Sequence, residues 1–348
     1  MLKFLNCFFF GVGASTVLDY GFGEEEQQFS GFGKFFDENI RPKGLLIEEL
    51  RIRNLKKFML YCRLSALALL LIWGTFYQLE QSNNFFSPKV LENLQGLALL
   101  LTGMAVLFPY SAIRQFGLDI KKNLYEEVFK FCKFDYYPEG SQRIFDYEPF
   151  NLTPNYQPSI STTEDLVMGQ YKTVSFRLEE LDLNIETGSG RRRRKVKTFR
   201  GVVIMMKFNK EFSGRTIVKH DLGMIGNFSR KLAENRLKDM EKVALEDPEF
   251  EKIFEVYSTD QTEARYLLTT SFMERLKNLS NFFSAKKIEA SFYNDALLLQ
   301  FTSRLNLFTV DSIFEPVNVA IESRKVLEQI GLIYDLIDEL KLNENTGL

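Results

Sequence analysis

Asp247, Glu249 and Glu251 stand just ahead of Asp260, Glu263 and Arg265, a dense collection of groups that could hold or move a proton. Two carboxylates divide acid and base roles when their surroundings push their pKa values apart. A carboxylate at a helix start has another use, because it accepts from free N–H groups and offsets the helix dipole. Asp247 precedes Pro248, and Asp260 precedes a helical pattern, so both read as helix starts. Glu263 and Arg265 can pair across a sheet or brace two helices. Capping and bracing is the expected use, with a ligand-binding or catalytic cluster as the alternative. His220 beside Asp221 has the composition of a dyad, but no partner nucleophile accompanies it, so it reads as a polar loop pair.

The sharpest charge feature is basic. Arg191, Arg192, Arg193 and Arg194 with Lys195 and Lys197 put six cations in seven residues, directly after Gly188-Ser189-Gly190. The glycines make this a hairpin tip, which is either simply solvated or in contact with anionic headgroups, at roughly 1 kcal/mol per cation near such a surface. No interleaved aromatics or reading helix accompany the run, so nucleic acid is not an expected partner.

Composition removes most other chemistry. The formal net charge is −2, which excludes a generally basic nucleic-acid binder. Cys7, Cys62 and Cys132 are far apart and His220 is the single histidine, so no zinc or redox motif can be assembled. No GxxxxGK[ST] or GxGxxG loop is present. No metal, no cofactor and no catalytic constellation are expected, and the chain does not read as an enzyme.

The elements that must position these residues begin with two uncharged apolar stretches, Leu64 to Leu79 and Asn93 to Ile113. A helix rises about 1.5 Å per residue, so crossing a hydrocarbon core of about 30 Å takes roughly 20 residues. The second stretch meets that length alone; the first does if it starts near Phe58 and Arg63 snorkels to the headgroups. Eight Lys and Arg flank the spans on one side, from Arg51 to Arg63 and from Arg114 to Lys122, against Lys89 alone in the connecting loop. That bias predicts both termini on the cytoplasmic side. Trp73, Phe76, Tyr77, Phe108 and Tyr110 suit interfacial belts. The segment Phe4 to Leu18 superficially resembles a signal peptide, but cleavage there would export the basic flank, so a surface extension is expected, followed by a tether from Gly21 to Phe36.

The predicted fold class is α+β: a two-helix transmembrane hairpin, then a domain with a mainly antiparallel sheet and packed helices. The expected divisions are a variable extension over 1–45, the hairpin with helical extensions over 46–133 (spans about 58–79 and 93–113), a Pro-rich connector over 134–165, and the α+β domain over 166–342. Within it, Val167 to Phe176, Leu181 to Ile185, Thr198 to Phe208, Arg215 to Lys219 and Phe254 to Tyr257 read as strands. Ile288 to Tyr293 and Ala296 to Ser303 read as a hairpin turning at Asn294-Asp295. Helices are predicted over Asn227 to Leu245, from Asp247-Pro248, over Phe272 to Phe283 behind a Ser271/Glu274 capping box, and over Val317 to Leu340 with Ile321, Ile330, Ile333, Ile337 and Leu340 on its apolar side.

Thr198-FRGVVIMMKFNKEFSGRTIV-Lys219 and Leu245-EDPEFEKIFEVYSTDQTEARYLLTTSFMERL-Lys277 together resemble an uncharacterised bacterial membrane-protein family, domain of unknown function (DUF) 3137. The resemblance extends to the spans, to Glu48, Glu49 and Arg51, and to Phe314-Glu315-Pro316. It implies a cytoplasmic domain behind a transmembrane hairpin in the bacterial inner (plasma) membrane, and it implies no activity. The expected role is a membrane-anchored interaction or regulatory protein that binds a protein partner, an anionic lipid, or both. The alternatives are a membrane-surface enzyme using Asp247, Asp260 and Arg265, and a subunit of an oligomeric transport complex.

Overall fold

A computed structural model describes residues 27–81, 88–141, 145–152, 160–188, 193–209, 211–220, 237, 239–245, 248–304, 306–310 and 312–344. They fold as two compact units: one from the described residues of Met1–Glu127 with Thr309–Arg324, the other from those of Val128–Phe308 with Lys325–Leu348.

The first unit is helical. After α1 (Phe32–Phe35) and a π-helical turn at Phe36–Ile40, α2 runs unbroken over Gly44–Gln81. The return helix α3 (Pro88–Leu107) stops where Pro109 withholds its N–H, and α4 (Tyr110–Ile120) restarts at once. A second π-helical turn, Lys121–Tyr125, leads into α5 (Glu126–Phe131). Both stretches are long and apolar enough to cross a membrane. Trp73 Nε1 donates to Thr102 Oγ1 (3.2 Å) and the rings of Tyr61 and Phe108 lie 4.5 Å apart, which sets α2 antiparallel against α3. The expected tether does not hold where it is described, because Phe32 and Phe36 are fully buried. Burying two phenylalanines outweighs the loop-like composition around them.

The base of this unit is polar and interlocked. Arg51 grips Glu48 with two hydrogen bonds (2.8 and 2.6 Å), and its third nitrogen donates to the carbonyl of Ile313 (2.8 Å). Asn54 Nδ2 donates to Asp119 Oδ2 (2.7 Å), and the hydroxyl of Tyr125 donates to Glu322 (2.5 Å). Phe58 meets Phe314 edge-on at 5.6 Å.

The second unit is built on a nine-stranded antiparallel sheet: β1 (Asp135–Tyr137), β2 (Ile160–Tyr171), β3 (Val174–Thr187), β4 (Arg194–Lys207), β5 (Thr216–His220), β6 (Glu241–Val243), β7 (Phe254–Ser258), β8 (Lys287–Tyr293) and β9 (Ala296–Thr302). Their spatial order is β1-β2-β3-β4-β9-β8-β5-β7-β6. Four helices follow β6: α6 (Pro248–Glu251), α7 (Gln261–Leu267), α8 (Thr270–Phe282) and α9 (Val319–Glu344). One sheet face takes α8 through Phe272 on Phe292 (5.6 Å) and Phe283 on Phe301 (4.5 Å), and takes α9 through Tyr334 stacked on Tyr171 (3.8 Å). On the other face Tyr147, Phe150 and Leu152 pack with Leu181, Phe199, Val203, Met205 and Leu298.

Several expected elements shift. The strand expected over Val167 to Phe176 is two strands, because the chain reverses at Lys172, whose φ is 54°. The expected helix end at Glu241–Val243 is strand β6, paired with β7; most of Asn227 to Leu245 lies outside the described residues. The α8 cap is Thr269, whose hydroxyl accepts from Phe272 N–H, two residues ahead of Ser271. Ile321 is 52% exposed rather than on the buried side of α9. The 134–165 stretch supplies β1 and the start of β2.

Gly201 marks the point where β4 joins the main sheet. From Gly201 to Lys207 β4 pairs with β9, while toward Arg194 its described partner is β3 alone. A Cβ on Gly201 would lie 1.8 Å from the Phe301 carbonyl oxygen and 2.9 Å from the Ser303 nitrogen, both backbone atoms that cannot swing aside. Gly201→Ala should therefore cost about 2 kcal/mol or more, read as a lower thermal midpoint of the full chain in mild detergent. An unchanged midpoint would show that the strands part there without cost.

Candidate functional site

The structure distributes the acidic group among backbone partners. Asp260 caps α7, accepting from the N–H groups of Thr262 (2.9 Å) and Glu263 (3.0 Å). Glu263 then reaches out of the first turn to the β4–β5 loop, where its carboxylate accepts from the N–H groups of Ser213 (2.7 Å) and Gly214 (2.8 Å). Arg265 donates to the carbonyl of Ala244 (3.4 Å) and to Gln261 (3.2 Å), Glu251 accepts from Leu245 N–H (2.8 Å), and Glu249 pairs with Lys252. Asp247 lies outside the described residues. Among those described, each carboxylate and the guanidinium hold a loop, a neighbouring side chain or a helix end. His220 ends β5 with its ring edge-on to Phe254 (5.6 Å), and Asp221 lies outside the described residues.

The basic run behaves differently. Arg191 and Arg192 lie outside the described residues. Arg193 leads into β4, and Arg194, Lys195 and Lys197 are strand residues exposed to solvent. Their register sets Lys195 opposite Glu186, with Arg194 opposite Thr187 and Lys197 opposite Asn184. Arg193 lies 4.0 Å from Glu186, and Lys197 Nζ donates to Asp182 (2.7 Å). Thr198 is an extra residue in β4 between pairs Leu183↔Phe199 and Asn184↔Lys197, a bulge that its own hydroxyl stabilises by donating to the Leu183 carbonyl (3.1 Å). Beside this ribbon a cavity of about 80 Å³ is lined by Thr162, Glu164, Glu180, Asp182, Arg200 and Asn306, among others. No group of three His, Cys, Asp or Glu among the described residues has the geometry to hold a metal ion.

Residues 197–342 match the family described as Protein of unknown function (DUF3137). This segment is a DUF3137 domain. It contains both quoted stretches and Phe314-Glu315-Pro316, and it begins within β4, after the two long apolar helices. No curated protein matches the chain. A crystal structure of the mycobacterial trehalose monomycolate transport factor A, TtfA, aligns at 13% identity with a TM-score of 0.32, covering 62% of this chain and 92% of that one. At that score nothing transfers from it to this chain.

Just ahead of the DUF3137 domain lies a charged cluster that periodicity could not reveal. Arg177 and Glu179, two apart in β3, share one face, and the guanidinium grips the carboxylate at 3.1 and 3.0 Å. Glu179 is fully buried, and the hydroxyl of Tyr147 donates to it. Burial, and next the charge of Glu179, push the Tyr147 phenol well above the ordinary tyrosine range. On the helix-covered face, burial pushes the Cys132 thiol up to about 12 against the lowering effect of its Tyr334 hydrogen bond, and burial raises Tyr334 itself.

These raised values carry a sign. The folded protein keeps protons that the unfolded chain loses near pH 8.5 for the thiol and near pH 10 for the phenols. Their stabilising contribution is complete below those values and disappears as pH rises toward the folded ones. Denaturant unfolding of the full chain should give a midpoint that holds from about pH 7 to 8 and falls progressively above about pH 9. Tyr147→Phe should lower the neutral midpoint and flatten the decline above about pH 10. A midpoint that rises between those limits would contradict the burial of these groups.

Proposed function

We propose that this protein is a membrane-anchored interaction protein: α2 and α3 cross the inner membrane of a bacterial cell as a hairpin, and the sheet unit stands on the cytoplasmic side to bind another protein. The observation that carries the anchor is apolar surface that water would not tolerate. Leu70 is 73% exposed and Leu107 71%, and Leu64, Leu67, Leu71, Leu97, Leu100, Met104 and Val106 are exposed with them. Contiguous patches beyond a few hundred Å² are rare on soluble monomers, and only lipid or protein covers them. The cations flanking both helices support the cytoplasmic assignment. The interaction reading is supported by the roles of Asp260, Glu263 and Arg265, whose polar groups hold loops and helix ends.

Topology tests the anchor directly. In a background with Cys7, Cys62 and Cys132 replaced, a cysteine at Asn83 should react with an impermeant thiol reagent in intact cells. One at Ser189 should stay protected until the membrane is opened. Release of the chain by alkaline carbonate would remove the anchor, and labelling at position 189 in intact cells would reverse its orientation.

A further inference from the structure

Helix α2 carries an outward stripe whose chemistry changes once along its length. Arg53, Lys56 and Lys57 stand at helical spacing, and Leu60, Leu64, Leu67 and Leu71 continue the same series. At 3.6 residues per turn, all of them fall within about 100° of the helix surface. Asn54, Phe58 and Ser65 are turned away from this stripe and are buried. On the stripe, the Arg53 side chain is 59% exposed, Lys56 and Lys57 are exposed, and the four leucines are 49% to 60% exposed.

The two parts of the stripe select one kind of occupant. From Leu60 to Leu71 the helix rises about 16 Å, close to the roughly 15 Å that one leaflet contributes to a hydrocarbon core. Side chains three and four apart on a helix start about 5–6 Å from each other, so the three cations can close on a group the size of a phosphate. Arg53 lies 3.7 Å from Asp119, but that carboxylate already accepts from Asn54 (2.7 Å) and Gln115 (2.9 Å). Among the described residues Lys56 and Lys57 form no ion pair. A soluble anion would leave the leucines unused, and a neutral hydrocarbon would leave the cations unused. A phospholipid with a negative headgroup engages both.

We infer that this stripe of α2 binds one anionic phospholipid of the cytoplasmic leaflet. Its phosphate sits among Arg53, Lys56 and Lys57, and one acyl chain lies along Leu60, Leu64, Leu67 and Leu71. Basic residues at the cytoplasmic side of a span attract anionic headgroups. A zwitterionic headgroup carries its own cation beside the phosphate, which opposes the lysines, so the site prefers phosphatidylglycerol to phosphatidylcholine. The inference rests on the anchor proposed above and goes beyond it by naming a ligand and its contacts.

The test titrates the full chain, purified in a non-ionic detergent, with phosphatidylglycerol or phosphatidylcholine and counts bound lipid by native mass spectrometry. Phosphatidylglycerol should bind at least about tenfold more tightly. Arg53→Gln with Lys56→Gln and Lys57→Gln should remove that preference at an unchanged thermal midpoint, because exposed charges contribute little to folding. Lys56→Arg with Lys57→Arg should retain it, since both cations remain. Glycerophosphoglycerol, the headgroup without chains, should not displace the bound lipid. Equal binding of the two lipids, or a preference that survives the triple Gln variant, would overturn the inference. So would displacement by the chainless headgroup, or loss of the preference in Lys195→Gln with Lys197→Gln, which assigns lipid contact to the β3–β4 ribbon. Alkaline carbonate extraction of the same membranes is scored separately. Release of the chain there counts against the anchor, whereas a retained chain without lipid preference counts against the site alone.

Discussion

Arg51 is 5% exposed and Glu48 3%, so each charge sits where water cannot solvate it and needs a partner. Taking such a pair out of water costs several kcal/mol per ion unless the remaining hydrogen-bonding capacity is filled. The carboxylate takes two of the guanidinium nitrogens and the Ile313 carbonyl takes the third. The helical unit therefore needs a loop that the chain reaches only after completing the sheet. This is why residues 309–324 belong with α2 to α4 and why that unit is discontinuous in sequence. Asn318, capping α9 through the N–H groups of Ala320 and Ile321, starts the last helix inside the same unit.

What the sequence made legible follows a simple division. Local signals worked: the uncharged runs of α2 and α3, the Asn294-Asp295 turn, and the Asp260 cap each depend on a few adjacent residues. Long-range partnerships stayed hidden. Arg177 and Glu179 look like surface charges on a strand, but spacing of two puts them on one face, where each neutralises the other and Tyr147 fills the remaining demand. Phe32 and Phe36 were masked by the glycines around them. Ser271 and Thr269 are equally good caps by type, and the choice between them is made by where the chain from α7 arrives. Glu263 holds a loop from a different part of the sheet, which no spacing encodes.

Along α2 and α3 many of the exposed side chains are apolar, Leu70, Leu100 and Leu107 among them. The carboxylates nearest to catalytic composition accept from backbone N–H groups, as Asp260 and Glu263 do.

The discontinuity also imposes an order on manufacture. Arg51 and Ile313 are 262 residues apart, so at roughly 5–20 residues per second the ribosome needs on the order of 10 to 50 s to supply the carbonyl after the arginine has emerged. Glu48 lies only one turn from Arg51 and can neutralise it from the outset. The local half of the interaction thus forms first, and the distant half closes the unit only once Ile313 has been made.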